Sequence, residues 1–263
     1  MPPATPALWP RPVDILGVRV DDVTYAEALA ILRRAIATRR PHVVTTPNPE
    51  IVMAARADPA FRAVLNRAAL NIPDGIGLLL AARLFGDRLR AHVQGTDLVL
   101  RLATEAPGAG YRWFLLGGRG DVAERAGRAL QRLYPGLEVA GAAAGSPWPA
   151  DDEPTRALIR AVGRVDVLLV AYGAPKQERW LDRNLAALGI PVGIGVGGAF
   201  DYFSGDAPRA PRWVRRLHCE WLHRLITQPW RWRRQLALPR FAALALWHAA
   251  RRRAGAKGRR RAD

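Results

Sequence analysis

Along this chain, short uncharged runs rich in Val, Ile and Leu alternate with longer stretches in which apolar residues return every third or fourth position. The runs at 14–19 (DILGVR), 42–46 (HVVTT), 69–72, 111–116 (YRWFLL), 137–141, 166–171 (DVLLVA) and 191–195 read as buried strands. The intervening stretches read as helices. In the first of them Ala28, Leu29, Leu32, Ala35 and Ile36 share one face while Arg33, Arg34 and Arg39 turn to water, the stripe of a scaffolding helix laid on a sheet. Strands alternating with such helices predict an α/β fold, Rossmann-like, with a mainly parallel sheet covered by helices on both faces. After Asp201 the strand pattern stops. From 211 onward the chain reads as helical, aromatic and basic, with Trp213, Trp221, Trp230, Trp232 and Trp247, so a helical basic C-terminal appendage is expected.

Composition sharpens this picture in three places. A chain of 263 residues, 49% hydrophobic, is long enough for one large α/β domain with an appendage. The one cysteine, Cys219, rules out an internal disulfide, and a lone thiol suits a reducing compartment. The lead-in MPPATPALWPRPVD has four prolines in its first ten residues and lacks the basic-then-apolar order of a signal peptide, so residues 1–12 are expected to be disordered.

Charge is placed unevenly. From Arg209 to the end there are sixteen Lys or Arg against two acids, Glu220 and Asp263, which leaves only +3 of the net +17 to the first 208 residues. One end is therefore built to meet something anionic. No stretch approaches the roughly 18 uncharged apolar residues that cross a bilayer. FAALALWHAA at 241–250 is too short and is flanked by arginines. Residues 229–253, read as a helix interrupted at Pro239, mix Trp230, Leu236, Leu238, Phe241, Leu244, Leu246 and Trp247 with arginines, a composition that can lie in a membrane interface. The competing reading packs that helix on its own domain or on another subunit of a homo-oligomer. On the interface reading, deleting 236–263 is expected to leave the α/β core intact.

Candidate chemistry sits where strands end, because open α/β sheets bind ligands at the carboxyl edge. TTPNPE (45–50) brings Thr46 and Asn48 to one such edge, where Asn48 is equally suited to cap a helix. NIPDGIG (71–77) puts Asp74 among Ile72, Ile76 and Leu78, as a general base or as turn chemistry. LLGGRGDVAERA (115–126) holds Gly118, Gly120 and Ala123 in dinucleotide-fingerprint spacing, but Glu138 lies at the start of the next strand rather than at its end. An NAD(P)-dependent oxidoreductase is thus an alternative resting on one match. GAPKQERW (173–180) sets Lys176, Gln177 and Glu178 in a first helical turn, and GIGVGGAFDYFSG (193–205) delivers Asp201 as a partner for a ribose or sugar hydroxyl or as a local cap. No Asp-x-Asp pair stands at a strand end, and His42, His92, His218, His223 and His248 are scattered, so neither a metal nor a cofactor is expected. A non-catalytic module on an anionic surface would leave these ordered polar motifs without a purpose, and nucleic acid is not the expected partner.

In order, TTPNPE, IPDGIG, FLLGG, GAPKQERW, GGAFDYFSGDAPRAPRW and CEWLHRLITQPWRWRR resemble the WecG/TagA/CpsF family of bacterial glycosyltransferases, from about Val13 to about Arg234. The resemblance implies an inverting transferase that uses a UDP-sugar and an undecaprenyl-diphosphate-linked acceptor in cell-surface polymer or exopolysaccharide synthesis. It implies Asp74 as the base, Thr46 and Asn48 as pocket residues, Gln177 as a polar site residue, and Arg209, Arg224 and Arg231 as arginines closing over the diphosphate. Cys219 and His223 stand where the family more often has other residues. The expected division is a catalytic α/β domain at 13–208, a membrane-associating helical appendage at 209–253 and a basic tail at 254–263. The expected location is cytoplasmic, peripheral on the inner face of the plasma membrane.

Overall fold

The computed structural model describes residues 9–211, 213–214, 220–227, 229 and 232–259, the side chains of residue 224 and of 253–259 excepted. The chain opens with a hairpin, β1 (Pro12–Ile15) and β2 (Val18–Asp21), in antiparallel register with Ile15 opposite Val18. A single strand over 14–19 is therefore not what forms. Leu16 and Gly17 both take positive φ, 55° and 91°, which turns the chain in two residues, and Gly17 N–H donates to Asp14 Oδ1 at 3.1 Å. The hairpin lies outside the main sheet and buries Val13, Ile15, Val18 and Val20.

The remaining expected strands form. After α1 (Tyr25–Thr38) come β3 (His42–Thr45), α2 (Pro49–Ala57), α3 (Pro59–Arg67), β4 (Leu70–Asn71), α4 (Ile76–Leu84) and α5 (Gly95–Ala109). Then follow β5 (Arg112–Gly117), α6 (Val122–Leu133), β6 (Glu138–Ala143), α7 (Asp152–Arg160), β7 (Val167–Ala171), α8 (Lys176–Leu188), β8 (Val192–Gly195) and α9 (Ala199–Ser204). The six strands β3 to β8 make one parallel sheet in the order β4-β3-β8-β7-β5-β6. Strand alternation feeds two cores. Trp113 and Leu115 of β5 with Val167 and Leu169 of β7 face the core shared with α1, α5 and α6. Phe114, Leu116, Leu168 and Val170 face the core shared with α8. The sheet is thus covered on both faces, as the apolar pattern requires.

Local signals start the helices. Thr24 and Glu27 form a reciprocal capping box on α1, and Asn48 and Asp58 cap α2 and α3, each with proline in the first turn.

The C-terminal part is helical, in Glu220–Thr227, Trp232–Gln235 and Ala237–Arg259. Pro239 does not interrupt the last helix; it lies in the first turn, where its missing N–H costs no helical hydrogen bond. That helix runs along α2 and α4 and buries Phe241, Ala245 and Ala249 in a core with Ile51, Leu78 and the β1–β2 hairpin. Its removal would strip one wall from that core, so loss of 236–263 is expected to disturb the α/β unit. On the same helix Leu246, at the cleft, and Trp247 stay exposed.

Candidate active site

Five strand ends, after β3, β4, β5, β7 and β8, open into one cleft of about 1260 Å³, and residues of the C-terminal helices close it from the far side. Thr46, Asn48, Asp74, Gln177, Asp201 and Arg209 all line it. Arg231 lies outside the described residues, and Arg224 falls in the helix Glu220–Thr227 with its side chain not among those described.

Asp74 is fixed through its neighbours. β4 is only two residues long, yet Asn71 is fully buried. Its N–H donates to Asp21 Oδ2 at 2.8 Å, its Nδ2 donates to Leu65 O at 2.9 Å, and Thr45 Oγ1 donates to its Oδ1. Beyond it, Asp74 N–H donates to Pro47 O at 3.0 Å and Val93 N–H donates to Pro73 O at 3.0 Å, so the aspartate loop is laced between two others. The carboxylate receives Gly95 N–H on Oδ2 at 3.1 Å, and His92 Nε2 stands 3.8 Å from Oδ1.

The sequence suggests that Asp74 heads α4, but its charge is held at the N-terminus of α5, where unpaired N–H groups and the helix dipole favour an anion. Gly95 is required there: a Cβ at this position would stand 2.7 Å from Thr46 Cγ2. Neither Gly95 nor His92 carries a motif, and only their distance from Asp74 in the fold reveals them.

Asn48 Oδ1 accepts from Ile51 N–H at 2.9 Å, so its capping role is real, and it performs that role on the cleft wall. Gln177 proves to be a clamp. It is 2% exposed, its Oε1 accepts from Gly173 N–H at 3.1 Å and Gly197 N–H at 2.9 Å, and its Nε2 donates to Glu178 Oε1 at 2.9 Å. One side-chain oxygen thereby ties the loops after β7 and β8 together. Gly195 makes room for it, since a Cβ there would lie 2.8 Å from Gln177 Nε2. Glu178 is fully buried, with Oε2 lacking a hydrogen-bond partner; burial pushes its carboxyl up to about 7, against the pull of Gln177 and the charge of Arg234.

Asp201 sits in the first turn of α9, and its carbonyl accepts from Ala207 N–H at 2.9 Å. Arg209 reaches back to Asp97 Oδ1 in the first turn of α5 at 2.5 Å, which brings a guanidinium to the helix that holds Asp74. Further cations on the cleft are Lys176, whose Nζ lies 4.6 Å from the Trp148 ring, Arg119, and Arg234, paired with Glu50 at 3.2 Å. Arg119 and Arg234 fall inside quoted motifs but are not singled out there, and their place on the cleft is visible only in the fold. Gln94 Nε2 donates to Glu220 Oε2 at 2.9 Å, joining the C-terminal segment to the cleft rim.

The dinucleotide alternative loses its second half here. Gly118 does line the cleft, with φ of 81°, but β6 ends at Ala143 without a ribose-binding acid. Glu138 at its start pairs with Arg112 at 2.5 Å.

An open parallel sheet, one cleft across its strand ends and an anchored carboxylate among cations define an α/β enzyme that handles a polar, anionic ligand. The chain belongs to the WecG/TagA/CpsF family of glycosyl transferases, whose family model matches residues 13–255, and it is a glycosyltransferase. It is similar to proteins named N-acetylglucosaminyldiphosphoundecaprenol N-acetyl-beta-D-mannosaminyltransferase. With that of Bacillus subtilis (strain 168) it is 37% identical over 204 residues, 78% of each chain. With that of Staphylococcus aureus (strain NCTC 8325) it is 31% identical over 216 residues, 81% of this chain and 84% of the relative.

Proposed function

We propose that this glycosyltransferase moves a sugar from a UDP-sugar to an acceptor carried on undecaprenyl diphosphate, in the synthesis of a bacterial cell-surface polymer or exopolysaccharide. The acceptor class is the one named for the relatives, a diphosphoundecaprenol bearing N-acetylglucosamine. The observation that carries the reading is Asp74, held in the cleft by the Gly95 N–H with part of its carboxylate still open to a ligand.

In this reading Asp74 takes the proton from an acceptor sugar hydroxyl as its oxygen attacks the anomeric carbon. The bond to UDP breaks on the opposite face and configuration inverts. A positioned base of this kind is worth roughly 10²- to 10⁴-fold. Charge developing on the departing diphosphate is met by cations of the cleft, where the lining by Arg119, Lys176 and Arg209 supports the reading and Arg224 and Arg231 are expected from the resemblance. Thr46 packs beside Gly95, Asn48 shapes the turn next to it, and Asp201 offers an acceptor to a sugar or ribose hydroxyl.

The test is UDP release from a panel of UDP-sugars in the presence of a prenyl-diphosphate-linked N-acetylglucosamine. Asp74→Asn, which keeps shape but cannot take the proton, should lower kcat by about a hundredfold or more with the thermal unfolding midpoint little changed. A loss of less than about tenfold would remove Asp74 from the role of base. Turnover should also survive a chelator, because the reading assigns phosphate charge to side-chain cations; a chelated, inactive enzyme revived by Mg²⁺ would reverse that assignment.

A further inference from the structure

A second, smaller recess of about 360 Å³ opens beside the cleft between α2 and the segment 233–240, and the two share Glu50, Ile51, Ala174 and Arg234. Its floor is the outer face of α2, Met53, Ala54 and Ala57, small enough to leave a trough; its rim carries Arg233 and Arg240 as well as Arg234. On the cleft side of Glu50, Pro49 packs against the aspartate loop, since a Cβ at Gly75 would stand 3.1 Å from Pro49 Cδ and one at Gly77 would stand 2.8 Å from Pro49 Cγ. From Glu50 to Ala57 the helix then offers a track about 10 Å long.

An apolar trough with an arginine rim fits an amphiphile whose head is a phosphate and whose tail is hydrocarbon. Among the described residues Glu50 is the only carboxylate on the recess and it is paired with Arg234, so Arg233 and Arg240 offer their positive charge to an anion. We propose that this groove seats the diphosphate-proximal isoprene units of the acceptor lipid, with the diphosphate on the arginine rim where groove and cleft meet. The proposal rests on the prenyl-diphosphate acceptor reading above and adds a binding site for its tail. It runs the acceptor in one direction, from the sugar at Asp74 past Pro49 and Glu50 to the hydrocarbon on α2. The donor is left the opposite side, around Arg119 and Lys176.

Two acceptors with the same N-acetylglucosamine diphosphate separate the possibilities, one bearing a farnesyl chain and one an ethyl group. Ala54→Trp and Ala57→Trp fill the trough from exposed positions of a surface helix, so folding should survive, and a circular-dichroism melt confirms it. Each should raise KM for the farnesyl acceptor about tenfold or more, leaving KM for the ethyl acceptor and both kcat values unchanged. An unchanged farnesyl KM, or an equal rise for both acceptors, overturns the proposal. Binding of farnesyl diphosphate alone, followed by tryptophan fluorescence or calorimetry, tests the groove separately. If neither acceptor is glycosylated but Arg240→Glu and Ala57→Trp weaken farnesyl diphosphate binding, the acceptor reading fails while the groove stands. If wild type and variants bind it alike, the groove falls.

Discussion

For a carboxylate to accept a proton, as proposed for Asp74, it must be oriented without being saturated by donors, and two small residues at Asp74 arrange that orientation. Gly75 lets the loop lie against Pro49 with φ of 149°, and Gly95 lets the first amide of α5 reach the acid. Gly95→Ala should therefore be felt in both stability and rate. Its methyl would press on Thr46 Cγ2, costing about 1–3 kcal/mol as for other overpacked sites, and kcat should fall with the Asp74 geometry. A variant with wild-type kcat would show that the Gly95 contact does not set the base.

Glu178 makes a prediction about pH. Its folded value of about 7 lies above the ordinary 4.5, so between those values the folded protein keeps a proton that the unfolded chain has already lost. Stability should thus fall as pH rises through that window, with a loss on the order of 3 kcal/mol complete above pH 7. Glu178→Gln should flatten this dependence in urea midpoints taken from pH 4.5 to 8; an unchanged slope would show that Glu178 is not the group that titrates. Thr46, Asn48 and Asp74 are legible in the sequence because strand ends and turn chemistry announce them. Gly95 and His92 are not, since they serve through their distance to a residue some twenty positions away. Gln177 is legible as a polar position but not as a clamp, because nothing local says that its oxygen faces two glycine amides.

At the level of elements, apolar runs suffice to place six strands of the sheet and its helical cover. They do not suffice for the hairpin, where an uncharged run hides a turn made by Leu16 and Gly17, nor for the last helix. Within Ala237–Arg259 the stretch 241–250 is apolar almost all round, so periodicity cannot tell its docked face from its outward one. Contact with α2 and α4 decides it. Phe241→Ala should cost about 3–5 kcal/mol, the usual range for emptying a buried aromatic site, and deletion of 236–263 should lower the thermal midpoint rather than spare the core. Denaturant curves within about 1 kcal/mol of wild type would mean that the helix is not docked in solution.

Across the whole molecule, charge and exposed aromatics concentrate at the same end. Trp213, Ile226, Trp232, Leu246 and Trp247 are exposed there among arginines, and no helix among the described residues is long and apolar enough to cross a membrane. With the lipid-linked acceptor proposed above, such an end would serve as a peripheral anchor, through basic residues worth about 1 kcal/mol each at an anionic surface and aromatics that insert beneath. Vesicles containing anionic lipid should hold the full chain, and raised salt should weaken the attachment without abolishing it. Trp247→Glu should release the protein while leaving turnover of a short soluble acceptor unchanged. Equal sedimentation of both proteins with the vesicles would remove the outward face of the last helix from any anchoring role.

The strand order carries a consequence for synthesis on the ribosome. β3 and β4 pair early, and β5, β6 and β7 can pair among themselves, but β8 alone joins the two groups and it emerges last. Until Val192–Gly195 is translated, the nascent chain carries two partial sheets, each with an unpaired edge of Val and Leu, β3 on one and β7 on the other. A message truncated after α8 would then yield not a smaller enzyme but a sticky polypeptide, recovered in inclusion bodies or on chaperones.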